Sequence, residues 1–201
     1  MRLHASLRPT LTAVLLVSLG TFGANSARAA LSVTGGTASQ QQALTRAFSA
    51  VPSCCNTSCS VCVRLLGDQE MDACLQASAA AHSQRILNAG AVDGFYQDGA
   101  KVITLRAPSA TADVSTTFTH EYGHYVWMNV LSPAQRDQYR KVYDTQRAAG
   151  RLVSPYAAVS VEEGFAEAFS FYIQRRPLLV QKDLSSCCFL DGLVDVKAKQ
   201  H

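Results

Sequence analysis

Outside its first 29 residues, the chain lacks an excess of charge of either sign. The 201 residues include 18 Lys and Arg against 15 Asp and Glu, but Arg2, Arg8 and Arg28 precede Ala29 and no acidic residue does. Subtracting those three leaves 15 basic and 15 acidic residues, so the remainder is neutral. A nucleic-acid-binding domain usually carries a net basic charge with clustered Lys and Arg. The composition therefore argues against nucleic acid as a partner.

The body of the chain also lacks a long apolar run. The apolar segment Leu11–Leu19 lies near the N-terminus and ends at Gly20, short of the roughly 20 residues that a membrane-spanning helix needs. Arginines precede this segment, and the small residues Ala27 and Ala29 follow it in the pattern of a signal-peptidase site. Residues 1–29 are therefore predicted to be a signal peptide. Its cleavage would leave an exported protein, periplasmic or secreted, with no stable membrane anchor; a retained anchor is the alternative.

The sequence has no internal repeat and no proline- or serine-rich linker, so residues 30–201 are predicted to form a single domain. Three parts are distinguished within it: a cysteine-rich helical part over 30–90, a core over 91–176 and a cysteine-containing C-terminal tail over 177–201. The oligomeric state has no signature in the sequence.

The predicted elements indicate an α+β fold. Asp98-Gly99 lies between the β-rich segments Phe95-Tyr96 and Lys101–Leu105, a pattern typical of a β-hairpin. A loop is predicted for the cysteine-rich stretch up to Cys62. Helices are predicted over Ser39–Phe48, Asp68–Asn88 and Thr111–Asn129, after the Ser132-Pro133 cap as far as Gly150, and from Ser160 to Gln174. Helices followed by a hairpin and further helices favour α+β over a doubly wound parallel sheet.

Seven cysteines fit an oxidising compartment. They form two groups, Cys54, Cys55, Cys59, Cys62 and Cys74 in the first and Cys187 and Cys188 in the second. In an exported protein such cysteines indicate disulfides, and a bridge between the two groups would stabilise the fold by about 4 kcal/mol in the chain-entropy model. The alternative is a structural zinc site at Cys55, Cys59, Cys62 and Cys74.

The central predicted helix contains His120-Glu121-Tyr122-Gly123-His124, a match to H-E-x-x-H. Side chains four residues apart lie on one helix face, so both imidazoles can bind one metal ion. Zinc requires a third protein ligand and keeps one position for water. Glu121 projects toward that water and can accept its proton. Gly123 removes side-chain bulk where a neighbouring element can pack closely.

The third ligand is expected downstream of the motif. His82 and His201 do not continue a three-histidine pattern, whereas Glu163 and Glu167 share one face of the last predicted helix. Glu162 is turned by about 100° from Glu163. Either Glu163 or Glu167 can be the ligand, with the other orienting an imidazole from behind. Enrichment of acids in a first helical turn is an alternative explanation for Glu162 and Glu163 but leaves Glu167 unexplained.

Together with Tyr156 and the segment Glu162–Phe169 (EEGFAEAF), the motif resembles the catalytic domain of the anthrax toxin lethal factor family, which includes secreted bacterial Pro-Pro endopeptidases. The resemblance spans roughly Asp93–Gln174. It implies a gluzincin-type zinc metallopeptidase, a hydrolase. Its expected fold is a mainly helical, zincin-like domain with a small edge β-hairpin before the HExxH helix, and 91–176 would be its catalytic core.

The resemblance also implies roles for individual residues. It makes Glu163 the third zinc ligand beside His120 and His124, and Glu167 the carboxylate behind the ligands. Tyr156 would stabilise the oxyanion, and the hairpin would align an extended protein or peptide substrate. The large partner-binding domains of the toxin and the substrate loop of the Pro-Pro enzymes have no counterpart here, so neither a toxin role nor that specificity is implied.

The sequence therefore predicts an exported zinc endopeptidase with Glu121 as general base. One alternative is a zinc-binding interaction module without catalysis, against which the presence of both Glu121 and Tyr156 argues. The other is a disulfide-stapled structural protein in which the motif is incidental. Phe118 and Trp127, at helical spacings from the motif, are predicted to belong to the core rather than to a substrate site.

Overall fold

A computed structural model of the chain describes residues 31–56, 61–81 and 92–198. The predicted signal peptide lies outside these ranges. The strands are β1 (Leu31–Gly35), β2 (Val61–Leu66), β3 (Gly94–Gln97) and β4 (Val102–Arg106). The helices are α1 (Ala38–Ser49), α2 (Asp68–Ala81), α3 (Ser115–Asn129), α4 (Pro133–Ala148), α5 (Val161–Gln174), α6 (Arg176–Lys182) and α7 (Leu184–Ala198). The predicted α+β class is confirmed. None of the helices in the described ranges is both long and apolar enough to cross a bilayer.

The four strands form one mixed sheet in the order β1-β2-β4-β3. β1, β2 and β4 are parallel, and β3 pairs antiparallel with β4 at one edge. The predicted hairpin is confirmed, with its turn over 98–101 closed by the Lys101 N–H donating to the Asp98 carbonyl at 3.1 Å. Lys101 itself adopts the left-handed backbone conformation, at φ 51°.

Two of the strands differ from the sequence prediction. A loop is predicted up to Cys62, but β2 begins at Val61, and β1 is not predicted at all. The buried residues of β2 are Val61, Val63 and Leu65, the alternation of a strand with one side in the core. This strand is held by parallel pairing with β1 and β4, which are distant in sequence, so local turn patterns do not reveal it.

The helix boundaries follow the prediction with two corrections. Helix α3 begins at Ser115 rather than at Thr111. Helix α1 begins at Ala38 rather than at Ser39, because the side chain of Thr37 caps it in a reciprocal capping box with Gln40. Ser132 caps α4 as predicted, with Pro133 in its first turn. The predicted helix over Asp68–Asn88 is observed as far as Ala81, and its remainder lies outside the described residues.

The segment after Arg175 forms two further helices, α6 and α7, which pack against α5 and α4. α7 carries Cys187 and Cys188 and contacts the 3-10 turn Ser53–Cys55. Cys54 and Cys55 of the first group and the two cysteines of the second therefore lie on adjacent elements. No two of the cysteines in the described ranges are at disulfide bonding distance, and Cys59 lies outside those ranges, so the disulfides remain a prediction.

Helices α3 and α5 approach each other closely at Gly123. A Cβ atom at this position would lie 2.7 Å from the Ala166 Cα atom. The prediction that Gly123 permits close packing is therefore confirmed. Phe118 and Trp127, on the same helix, are buried in the core as predicted. Because the two helices cross this closely, side chains on the facing sides of α3 and α5 can contact each other.

Replacing Gly123 with alanine is expected to lower the free energy of unfolding by up to about 2 kcal/mol. The added methyl group meets backbone, which cannot rotate away, and overpacking of this kind costs about 1–3 kcal/mol. The higher helix propensity of alanine offsets about 1 kcal/mol of that cost. Denaturant unfolding monitored by circular dichroism would measure the change.

Gly192→Ala is the matched control. Gly192 also lies in a helix, but a Cβ atom there would meet nothing within 4 Å. This variant is expected to be as stable as the native protein or up to about 1 kcal/mol more stable. Equal effects of the two substitutions would contradict a special role for Gly123 in the α3–α5 crossing.

Candidate metal centre

Helix α3 directs two histidines toward α5. The rings of His120 and His124 lie one turn apart, with centroids 5.0 Å from each other and planes at 79°. Tyr122 and Tyr125, on the opposite side of α3, are fully buried in the core. Because the core residues set the rotation of the helix, the two imidazoles are held at its α5 side, where they are only partly buried.

Glu163, in the first turn of α5, reaches both histidines. Its Oε2 lies 3.1 Å from His120 Nε2 and 3.4 Å from His124 Nε2. The Ser160 hydroxyl caps α5 by accepting from the Glu163 N–H at 3.2 Å. The Glu163 side chain does not complete a capping box at this helix end; it lies between the two rings instead.

The three side chains form a group that can hold a metal ion, since one potential ligand atom from each lies within 4.8 Å of the other two. Two imidazole nitrogens and one carboxylate oxygen are a donor set that fits zinc. They also leave a fourth position for water or substrate. Of the two glutamates that helical spacing left open, Glu163, the one that the resemblance favours, approaches both histidines.

Glu167 lies one turn further along α5 and holds His120 from behind. Its Oε1 lies 3.0 Å from His120 Nδ1. A carboxylate accepts a hydrogen bond there, so Nδ1 carries the proton and Nε2 faces Glu163 with its lone pair once the ring is neutral. The other carboxylate oxygen, Oε2, accepts from the Ser154 hydroxyl at 2.5 Å. Ser154 was not predicted as a site residue, because a serine in a loop carries no sequence signature of this contact.

Glu121 is the most enclosed charged group of the site, with 6% of its surface exposed. The Tyr96 backbone N–H donates to its carboxylate. Burial raises the pKa of Glu121 above its usual range, against the opposing effect of His124 and His120. A carboxylate with a raised pKa is a better proton acceptor at neutral pH than an exposed one. Gly94 makes room for this side chain, since a Cβ atom there would lie 3.2 Å from Glu121 Cγ.

Tyr156 stands at the open side of the site. It belongs to the 3-10 turn Tyr156–Ala158, is 52% exposed, and its ring centroid lies 5.7 Å from that of His120. Partial burial and the nearby carboxylates of Glu163 and Glu121 raise the pKa of its phenol. The hydroxyl therefore stays protonated at neutral pH and can donate a hydrogen bond.

An open cleft of about 350 Å³ lies above these residues. The edge strand β3 forms one wall, and Met128 and Tyr156 also line it. The Arg106 N–H donates to the Asp93 carbonyl at 2.7 Å, which sets the register of the β3–β4 hydrogen bonds. In an antiparallel pair every second residue directs its backbone groups away from the partner strand. Gly94 and Tyr96 therefore direct theirs toward the cleft.

Among the described residues, the cysteines of the alternative zinc site do not form a group that could hold a metal ion. Cys55 lies in the 3-10 turn, Cys62 on β2 and Cys74 on α2. Within the described ranges, His120, His124 and Glu163 form the one group of three such residues that can hold a metal ion. Cys59, the fourth predicted thiolate, lies outside the described residues.

Protons should compete with a metal ion for this centre already at neutral pH. When no metal ion is bound, burial opposes protonation of His120, but hydrogen bonds to Glu163 and Glu167 outweigh it and raise the pKa of His120 to about 9. Below about pH 9 the imidazole is therefore protonated, and a metal ion has to displace that proton. The apparent zinc dissociation constant is expected to rise about tenfold for each unit of pH lost between 8 and 7.

Competition with a chelator of known affinity, corrected for its own protonation, would measure this dependence. The sign follows from the raised pKa: zinc binding releases a proton below about pH 9, so acid weakens it. Above that pH His120 is already neutral, and the dependence on its proton disappears. An affinity that is constant from pH 7 to 8 would contradict His120 as a ligand.

The same shifts govern the stability of the metal-free protein. The raised pKa of His120 contributes stability that is fully present below pH 6.5 and is lost as the pH rises through about 9. Burial favours the neutral form of Glu163, but hydrogen bonds from His120 and His124 lower its pKa to about 2. That contribution is present above about pH 4.5 and is lost as the pH falls toward 2.

Comparison of the chain with known protein families finds no family model that matches it, and comparison with the curated proteins finds no match either.

Proposed function

We propose that the protein is a zinc-dependent endopeptidase with a zincin-like catalytic domain. The observation that carries this proposal is the convergence of His120, His124 and Glu163 from two helices onto one point, with the buried carboxylate of Glu121 beside it. The resemblance of the HExxH and EEGFAEAF segments to the lethal factor family supports the same assignment.

His120, His124 and Glu163 would hold the zinc ion. Bound there, zinc supplies a Lewis acid that polarises a peptide carbonyl and lowers the pKa of water. Glu121 acts as the general base: it accepts the proton of the attacking water and passes it to the leaving amine. Its raised pKa suits both transfers, because the group has to take up a proton and give it away at the same pH.

Tyr156 donates its hydroxyl to the oxygen on which negative charge develops. One well-placed donor of this kind contributes about 3 kcal/mol to the stabilisation of a transition state. The phenol stays protonated at neutral pH, and its half-exposed position at the open side of the cleft leaves it accessible to a substrate. Glu167 keeps His120 in the tautomer and orientation that a metal ligand requires.

The substrate is a protein or peptide segment in extended conformation. The cleft runs beside β3, and the backbone groups of Gly94 and the Tyr96 carbonyl are directed into it, whereas the Tyr96 N–H donates to Glu121. An extended peptide can add to such an edge as a further strand through main-chain hydrogen bonds. This mode of binding places a peptide bond, rather than a side chain, next to Glu121.

Metal content and cleavage of a peptide library test the proposal together. Protein purified without added chelator is expected to contain about one zinc ion per chain and to cut peptides in the library at defined positions. Cleavage that is lost with a chelator and restored by zinc supports the assignment. A protein that binds zinc but cuts nothing would instead be an interaction module. The proposed export is tested separately, by determining the N-terminus of the mature protein released by its host, which is expected near Ala30.

A further inference from the structure

Ser154 joins the Glu167 carboxylate to the turn that carries Tyr156. Its hydroxyl donates to Glu167 Oε2 at 2.5 Å and accepts from the Ala157 N–H at 3.1 Å. The other oxygen of the same carboxylate lies 3.0 Å from His120 Nδ1. One continuous series of hydrogen bonds therefore runs from the imidazole of a candidate metal ligand to the backbone of the Tyr156 turn.

The Ser154 hydroxyl closes the turn around Tyr156. The segment continues with the Ala158 N–H donating to the Pro155 carbonyl and the Val159 N–H donating to the Tyr156 carbonyl, each at 3.1 Å. Ala157 is buried, whereas half of the Tyr156 surface is exposed. The phenol lies beside the His120 ring, and its hydroxyl interacts with Glu163. The conformation of the turn sets how the ring reaches these two groups.

We propose that Ser154 is a positioning residue, which couples the Tyr156 phenol to the Glu167–His120 pair. This inference rests on the proposed function insofar as it gives the phenol a role in hydrolysis, but the coupling itself is a property of the folded chain. It defines a unit of three elements: α3 supplies His120, α5 supplies Glu167, and the loop between α4 and α5 supplies both Ser154 and Tyr156.

The Ser154 hydroxyl is the donor in one of these two hydrogen bonds and the acceptor in the other. A hydroxyl has a single O–H to donate, which goes to Glu167, and it accepts from Ala157 with a lone pair. Alanine at position 154 removes both bonds. Threonine keeps a hydroxyl in the same place, so Ser154→Thr separates the loss of the hydrogen bonds from a change at the position in general.

Ser132 provides a matched control elsewhere in the chain. Its hydroxyl accepts from the backbone N–H three residues later, that of Gln135, at 3.2 Å, as that of Ser154 does from Ala157. Ser132 caps α4 and does not contact Glu167 or Tyr156. Ser132→Ala therefore removes a hydrogen bond of the same kind at no cost to the candidate site.

The first measurement uses the full metal-free chain and needs no activity. The seven tyrosines are labelled as 3-fluorotyrosine, and the ¹⁹F resonance of Tyr156 is assigned as the one that disappears in Tyr156→Phe. In Ser154→Ala this resonance is expected to shift or narrow toward that of a freely moving ring, while the buried tyrosines keep theirs. Ser154→Thr and Ser132→Ala are expected to leave it in place.

The second measurement is kinetic and uses the zinc-loaded protein. Ser154→Ala is expected to lower kcat about tenfold, with KM changed less than about twofold and the zinc content unchanged, because a small displacement of one donor costs rate rather than binding. Ser154→Thr is expected to keep more than half of the native kcat. Ser132→Ala is expected to keep the native kcat in full.

The failures of the two proposals are distinguishable. If Ser154→Ala leaves the Tyr156 resonance unchanged, the coupling is wrong whatever the protein does. Suppose that Ser154→Ala shifts the resonance without changing kcat, while Tyr156→Phe lowers kcat. The role of Ser154 in positioning for hydrolysis is then wrong, and the proposed endopeptidase function stands. If the native protein has no activity, the proposed function fails, and the resonance alone decides the coupling.

Discussion

Glu121→Gln is expected to lower kcat/KM for peptide hydrolysis by about 10³-fold while zinc stays bound. Glutamine has nearly the shape of glutamate but cannot accept a proton, and a positioned general base contributes about 10²–10⁴-fold. The carboxylate of Glu121 is not one of the three groups that converge on the candidate metal position, so its replacement leaves the ligands in place. The side-chain oxygen of the glutamine could still accept a hydrogen bond from the Tyr96 backbone N–H.

The measurement combines single-substrate kinetics with the zinc content of the same preparation. Glu162→Gln is the matched control, since it removes one carboxylate from the first turn of α5 without touching the two histidines. This control is expected to keep more than half of the native kcat/KM. An active Glu121→Gln enzyme with full zinc content would show that Glu121 is not the base.

Removing zinc is expected to lower the melting temperature by about 8–16 °C. A metal ion bound only to the folded chain at 1,000 times its dissociation constant adds about 4 kcal/mol to the free energy of unfolding. For a domain of this size each kcal/mol corresponds to about 2–4 °C. Thermal unfolding with and without a chelator, followed by re-addition of zinc, measures the difference and its reversibility.

Three glutamates of α5 should differ in their effect on this shift. Glu163→Gln is expected to abolish it, because the only carboxylate among the candidate ligands is lost. Glu167→Gln is expected to weaken zinc binding about 10–100-fold, the usual effect of a residue that orients a histidine ligand. Glu162→Gln should leave it unchanged. A chelator-sensitive melting temperature in Glu163→Gln would place the third ligand elsewhere.

Much of the candidate site could be predicted from local sequence because its spacing is helical. The H-E-x-x-H pattern places His120 and His124 on one face of α3 whatever the helix packs against, and the structure has them there. The hairpin of β3 and β4 and the Ser132 cap of α4 are equally local, set by a turn dipeptide and by one hydroxyl. These features depend on interactions between residues a few positions apart.

The spacing of residues within α5 does not show which of Glu163 and Glu167 reaches both histidines. Both glutamates lie on one face of the helix, so helical periodicity treats them alike. What separates them is the position of α5 along α3, which is set by the contact of Gly123 with the Ala166 backbone. With this crossing, Glu163 meets both imidazoles at Nε2 and Glu167 meets His120 at Nδ1.

By itself, then, the sequence determined which face of one helix carries two imidazoles and where the hairpin, caps and most helices begin, since these follow from neighbouring residues. The tertiary structure alone decided the parallel strands β1 and β2 and the contact of Ser154 with Glu167, and it separated the contacts of Glu163 from those of Glu167, which helical spacing treats alike and only the family resemblance had distinguished. Each of these joins segments distant in the chain, and their meeting is determined by packing of the core rather than by any pattern within one segment.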